Sequence, residues 1–345
     1  MNWRKMLINP VLDKEFRLRM RTPRSAFSML AYILVMGLLA MGIIYVATSS
    51  GSSQMGRVDA GVSRMIFYAL SMAQLVLIAF MTPALTAGVI SGEREKQTLN
   101  MLLTTQQSSS TIILSKLISS LSFMTLIILA TLPVYSIVFL YGGVSPKQLV
   151  LVFLFYLFVM LLLGSIGVFF STLFKRTMLS VIMTYGVGLV IFLVTGLVYI
   201  LSLGITQSNM YATGSQPPPY SWIGFILGLN PAGALISIFE PSFSNTAFLV
   251  QGSNLTASAP IELWLEFLIF YSILIVLFIW LAIRYIRPVS RKKKKSIDQG
   301  PREEKAEVKE DSQGTQGSQG TQGTQGTQES QESQESQESQ GFHNP

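Results

Sequence analysis

SGEREKQTLNMLLTTQQSSSTIILSK, residues 91–116, is a charged and then amphipathic stretch set between two long apolar runs. Its place decides how the chain is read, as a polar handle joining two segments that are each long enough to cross a bilayer. Half of all residues are hydrophobic and only 12% are charged, against roughly 25% in a soluble domain. A hydrocarbon core of about 30 Å takes about 20 apolar residues of helix. Six stretches meet that length: 26–48, 66–90, 117–141, 149–173, 178–203 and 264–285, the last with a charge-free centre at 267–283 and an aromatic near each end, Trp264 and Tyr285. The pattern predicts an all-α polytopic membrane protein of six transmembrane helices. The first run is about twice too long for the h-region of a cleaved leader.

Orientation follows from the basic residues, which collect on the cytoplasmic side. Of 25 Lys and Arg, all but Arg57, Arg64 and Lys147 fall in 1–25, 91–116, 174–177 or 284–309. With six spans, both termini are expected in the cytoplasm and the protein in a plasma membrane. The net charge of +7 then reads as topology and attraction to anionic lipid, with no nucleic-acid partner expected. Residues 222–239 are nearly long enough for a seventh span, but Asn230 and Pro231 break them. A seventh crossing would also put Arg291 to Lys295 outside. A re-entrant pair of short helices, covering protein or a cavity, fits better; a surface loop is the alternative.

The two ends differ. In residues 1–25, Asn9 can cap a helix that has Pro10 at its first position. Leu12, Phe16 and Met20 form one row of it and Lys14, Arg17, Arg21 and Arg24 another, the pattern of an interfacial helix on anionic lipid. Residues 288–345 read as a disordered cytoplasmic tail: Gln recurs every third residue from Gln313 to Gln340, with too few apolar side chains to build a core.

Chemistry is marked by absences. No G-x-x-x-x-G-K-[ST] phosphate loop occurs. The one histidine is His343, the four aspartates (Asp13, Asp59, Asp298 and Asp311) lie outside the spans, and there is no cysteine. No catalytic residue, metal site or bound cofactor is therefore assigned. Glu262 and Glu266, at the start of the last span, read as charges marking a helix end. In the handle, Leu99, Leu102 and Leu103 share a helical face behind Glu93, Arg94, Glu95 and Lys96. From the residues alone, a docking helix and a simple connecting turn fit about equally.

Ser91 to Leu103, followed by a polar Ser/Thr/Gln stretch and Lys116, resembles the loop of ABC-2 type membrane permeases, which reads G-E-R-E-x-G-T-L-x-x-L-L, and Asn9 to Glu15 resembles their N-P-V-L-x-K-E start. There are two departures from the family pattern: Gln97 stands where glycine is usual, and Gln106 and Gln107 where proline is common. The resemblance implies an ABC-2 (type V exporter-like) architecture with an N-terminal interfacial helix and a re-entrant hairpin before the last span. It implies that Glu93, Arg94, Glu95, Lys96, Leu99, Leu102 and Leu103 form a coupling helix seated on a separate ATP-binding subunit, which carries ATP and Mg²⁺. It further implies pairing with a second permease copy or paralogue and a bacterial origin. In such permeases the second and fifth spans line the path, which makes Gln74, Thr82, Pro83 and Thr86 pathway candidates. The row Ser180, Thr184, Gly188 and Gly196 reads as helix packing ahead of substrate contact. The expected function is export of a hydrophobic or amphipathic substrate. A non-transporting membrane scaffold is the alternative, and an ion or secondary transporter comes third.

Overall fold

The computed structural model describes residues 23–49, 60–98, 108–140, 143–213, 222–248 and 259–286. The chain divides into one unit of Met1–Val289 and another of Ser290–Pro345, and every described residue belongs to the first. The expected interfacial helix, up to residue 22, and the tail at 288–345 lie outside the described residues. Those described form helices only, and six runs are long and apolar enough to cross a membrane.

Helix α1 is Pro23–Ser49, α2 is Ala60–Thr86 and the short α3 is Ser91–Glu95. The third span is two helices, α4 Ser109–Leu129 and α5 Leu132–Leu140. It breaks at Ala130–Thr131 because Pro133 lacks an N–H and its ring crowds the carbonyl four residues back. It also starts ahead of the expected residue 117, so that Lys116 lies inside a helix. Helix α6 is Pro146–Leu173. The fifth span is α7 Thr177–Leu189, one π-helical turn Val190–Val194, and α8 Thr195–Thr213. At 1.5 Å per residue this run is about 55 Å long and outreaches the hydrocarbon core, passing the expected end at 203. Then come α9 Ile223–Gly228, α10 Pro231–Phe239, α11 Pro241–Phe248 and the last span, α12 Leu263–Tyr285.

Helix α6 is the centre: it packs on α2, α4, α7, α10 and α12. Its sequence explains why, since it is apolar all round, as a helix surrounded by others must be, and carries glycine where neighbours come closest. A Cβ at Gly167 would fall 2.3 Å from Thr86 Oγ1 and 3.2 Å from the Ala87 nitrogen. A bulkier residue would therefore push α2 away. The main core joins Tyr32 and Met36 of α1, Phe67 and Leu70 of α2, Tyr156 and Val159 of α6, and Phe267 and Tyr271 of α12.

The segment between the fifth and last spans dips and returns. Tyr271 donates a hydrogen bond to the Leu229 carbonyl at 2.9 Å, whereas Ser237 accepts one from the Trp264 nitrogen at 3.1 Å. Leu229 is thus held by a residue about two turns further along α12 than the one that holds Ser237. Neither α9 nor α10 is long enough to cross. The break falls at Leu229–Asn230, where Asn230 caps α10 with Pro231 at its first turn. Helix α11 was not foreseen, although Pro241 at its first position is a start signal.

Candidate functional site

The handle begins where α2 ends. After a turn at residues 87–90, α3 needs partners for its first backbone donors, as every helix start does. They come from another element: Ser171 Oγ of α6 accepts from the Ile90 nitrogen at 2.8 Å and from the Ser91 nitrogen at 2.9 Å. Gly88 allows the close approach to α7 that this needs, since a Cβ there would stand 3.1 Å from Thr177 Cγ2.

Three successive charges then reach three different spans. Glu93 Oε1 pairs with Lys116 Nζ of α4 at 2.5 Å, and Lys116 is only 4% exposed. Arg94 donates to the Thr172 carbonyl at 3.1 Å and the Phe174 carbonyl at 3.4 Å. There the cation satisfies and neutralises the negative end of α6. Glu95 accepts from the Thr177 nitrogen at 2.6 Å and from the Thr177 hydroxyl at 2.9 Å. It is an anionic cap on the positive end of α7. These bonds, the backbone one foremost, hold the Glu95 carboxyl below the usual carboxylate range. Ser180 Oγ adds a bond to the Ala87 carbonyl at 2.7 Å. The ends of the third, fourth and fifth spans are therefore tied through one short helix.

The handle then turns away. Gln97 has φ 58°, the left-handed region that disfavours side chains by roughly 1–2 kcal/mol, and it stands where the resembled loop carries glycine. Lys96, Gln97 and Thr98 are exposed. Leu99, Leu102 and Leu103 lie outside the described residues.

The pathway candidates are buried inside the chain: Gln74, Thr82 and Thr86 are at most 1% exposed, and Pro83 is buried too. They line no open surface of the single chain. Thr86 sits under Gly167, and both amide atoms of Gln74 lack a hydrogen-bond partner among the described residues. The row on the fifth span also faces inward. Ser180 and Thr184 are fully buried, a Cβ on Gly188 would meet Leu163 of α6 at 3.9 Å, and one on Gly196 would meet Asn230 Nδ2 at 3.1 Å.

Asn230 forms a second junction. Its side-chain oxygen accepts from the Ala232 and Gly233 nitrogens at 2.8 and 3.4 Å, while its amide donates to the Phe192 carbonyl at 2.7 Å and to Thr195 Oγ1 at 2.9 Å. Phe192 lies within the π-helical turn, where widened bonding shifts the normal backbone pairing. The hairpin is thereby fastened to the irregular turn of the fifth span.

Ser171, Thr177, Phe192 and Thr195 were not anticipated. Only Thr177 carried a signal, because a three-residue connection between α6 and α7 forces the two helix ends together beside α3. Among the described residues, no three of His, Cys, Asp and Glu come together as metal ligands.

No curated protein matches the chain in a sequence comparison. The profile of the ABC-2 family transporter proteins does match it, over residues 9–290, a range that takes in all six candidate spans, the handle and the hairpin. The chain belongs to the ABC-2 transporter family and is a permease of an ABC transporter.

Proposed function

We propose that this chain is the membrane half of an exporter driven by a separate ATP-binding subunit, and that α3 is the point where that subunit's motion enters. The observation that carries this reading is the set of three charged contacts from Glu93, Arg94 and Glu95. Each holds a different span, so a push on the handle moves the inner ends of α4, α6 and α7 together. Lys96, exposed, with Leu99, Leu102 and Leu103 beyond it, forms the side that meets the ATPase. ATP and Mg²⁺ reside on that partner, and this chain holds the transmembrane path.

A second permease copy or a paralogue completes the path. The fifth span supports this, since only 6% of its most apolar stretch is buried within the chain, against 61% of the third. An apolar surface of that extent is covered by lipid or by another permease. The apolar spans suit a hydrophobic or amphipathic cargo. The basic residues around the handle support a cytoplasmic side for it and for both termini, and the family resemblance supports a bacterial plasma membrane.

Replacing Leu99 and Leu102 by Ala tests the reading. Burial of one leucine is worth about 1.5–3 kcal/mol, so loss of both should weaken co-purification of the cognate ATPase roughly tenfold or more, with membrane insertion intact. Normal recruitment and normal ATP turnover would make the handle a connecting turn and favour a scaffold.

A further inference from the structure

At the end of the bundle away from the handle, α6, α10 and α12 enclose a cavity of about 480 Å³, within the range of about 300–1,000 Å³ typical of small-molecule sites. Its body is hydrocarbon, with Leu154, Phe155, Phe158 and Leu268 among the lining residues, and its ionised lining groups are one cation, Lys147, and one anion, Glu262. The walls are fixed by bonds between elements. Gln148 Nε2 donates to the Phe239 carbonyl at 3.2 Å, tying α6 to α10, and Ser237 ties α10 to α12 through the Trp264 nitrogen. Trp264 lines the cavity and donates its indole N–H to Glu262 Oε2 at 2.5 Å. Lys147 has no ion-pair partner among the described residues. Leu151 and Leu154 are exposed along the same side of α6, on a helix that crosses the bilayer, so the cavity opens toward lipid.

We propose that this cavity binds one membrane phospholipid whose headgroup carries both a phosphate and a primary amine. The phosphate meets Lys147, the ammonium meets Glu262, and an acyl chain fills the apolar body. The charge pattern selects this class. An anionic headgroup without an amine would leave Glu262 facing like charge, and a quaternary ammonium has no N–H to donate to the carboxylate. The site lies apart from the handle and does not depend on which ATPase or cargo the transporter uses.

The test uses the full chain in detergent with Trp3, Trp222 and Trp280 replaced by Phe, so that Trp264 is the only indole. Phosphatidylethanolamine brominated on its acyl chain should quench Trp264 saturably. Brominated phosphatidylcholine and phosphatidylglycerol should bind roughly tenfold more weakly, the factor for one charge-assisted contact of about 1.4 kcal/mol. Glu262→Gln should remove most of the headgroup preference, whereas Lys147→Gln should weaken all three lipids alike, because each carries the phosphate. A variant keeping only Trp280, near the opposite end of α12, reports bulk lipid and should show no preference. Native mass spectrometry of the unsubstituted chain should find retained phosphatidylethanolamine, which guards against a fold defect in the tryptophan variants. Equal quenching by all three lipids would reduce the cavity to general hydrocarbon contact and overturn the proposal. No quenching would mean that the chain itself or a second copy fills the cavity. Displacement of the lipid by glycerophosphoethanolamine would mean a site for the free headgroup, and this too would overturn it.

Discussion

The handle and the hairpin are both places where long apolar helices give way to short ones, yet they are held by opposite chemistry. At the handle, ionised groups do the holding: Glu93 with Lys116, Arg94 on the end of α6, and Glu95 on the start of α7. At the hairpin, the fastening groups at the break are a neutral amide, a hydroxyl and backbone carbonyls, centred on Asn230 and Tyr271. The difference follows from depth. Charges become inexpensive at the end of a span, where water and headgroups reach them, whereas at membrane depth a neutral hydrogen bond satisfies the backbone without the cost of burying an ion. Both junctions end on the fifth span, the handle at its start and the hairpin at its π-helical turn. That span also has the least cover from the rest of the chain.

Breaking the charged junction should have the larger effect. Lys116→Met leaves Glu93 without its counter-ion; its side chain keeps 30% exposure, so the orphaned charge costs about 3 kcal/mol, the lower end of the range for buried pairs. Thermal unfolding of the purified protein should show the loss. The double variant Lys116→Met with Glu93→Gln should recover most of it, because the unpaired charge is gone. A double variant no more stable than the single one would mean that the pair is not what holds the handle to the third span.

The neutral junction should yield less. Asn230→Leu removes a helix cap, worth about 1 kcal/mol, and leaves the Phe192 carbonyl without its donor, at about 1–3 kcal/mol. Hydrogen exchange should show the added opening at residues 190–195 and 231–234, with no change at the handle. Opening that spread to residues 91–95 would mean that the two ends of the fifth span are not independent junctions.

The spans were legible because bilayer thickness is a length rule, and length and hydropathy can be read directly. The hairpin was legible at Asn230 and Pro231 because a cap and an imino acid are local signals. What could not be read is non-local. Lys116 looked like the outer edge of a span, since a lone charge ends an apolar run; its partner, Glu93, stands on another helix. Glu93, Arg94 and Glu95 looked like a solvated end offered to a partner, but three helix ends of the same chain meet at that point and take them up. The polar stripe Gln74, Thr82 and Thr86 looked like a wall of a path, and only packing shows that all three are buried within the chain, with Thr86 against Gly167 of α6. The π-helical turn at 190–194 has no composition of its own, and Val, Ile, Phe and Leu there resemble any apolar stretch.

The central claim is that the handle and the start of the fifth span move as one body. A cysteine pair tests it, because the chain contains no cysteine of its own. A Cβ at Gly92 would stand 3.8 Å from Thr177 Oγ1, so Gly92→Cys with Thr177→Cys places two thiols within reach of a disulfide. The measurement is ATP turnover by the complex of this chain with its ATPase, before and after oxidation of the pair. A rigid hub predicts the same turnover in both states. Turnover that stops on oxidation and returns on reduction would show that the handle and the fifth span must part during each cycle, which contradicts the rigid hub.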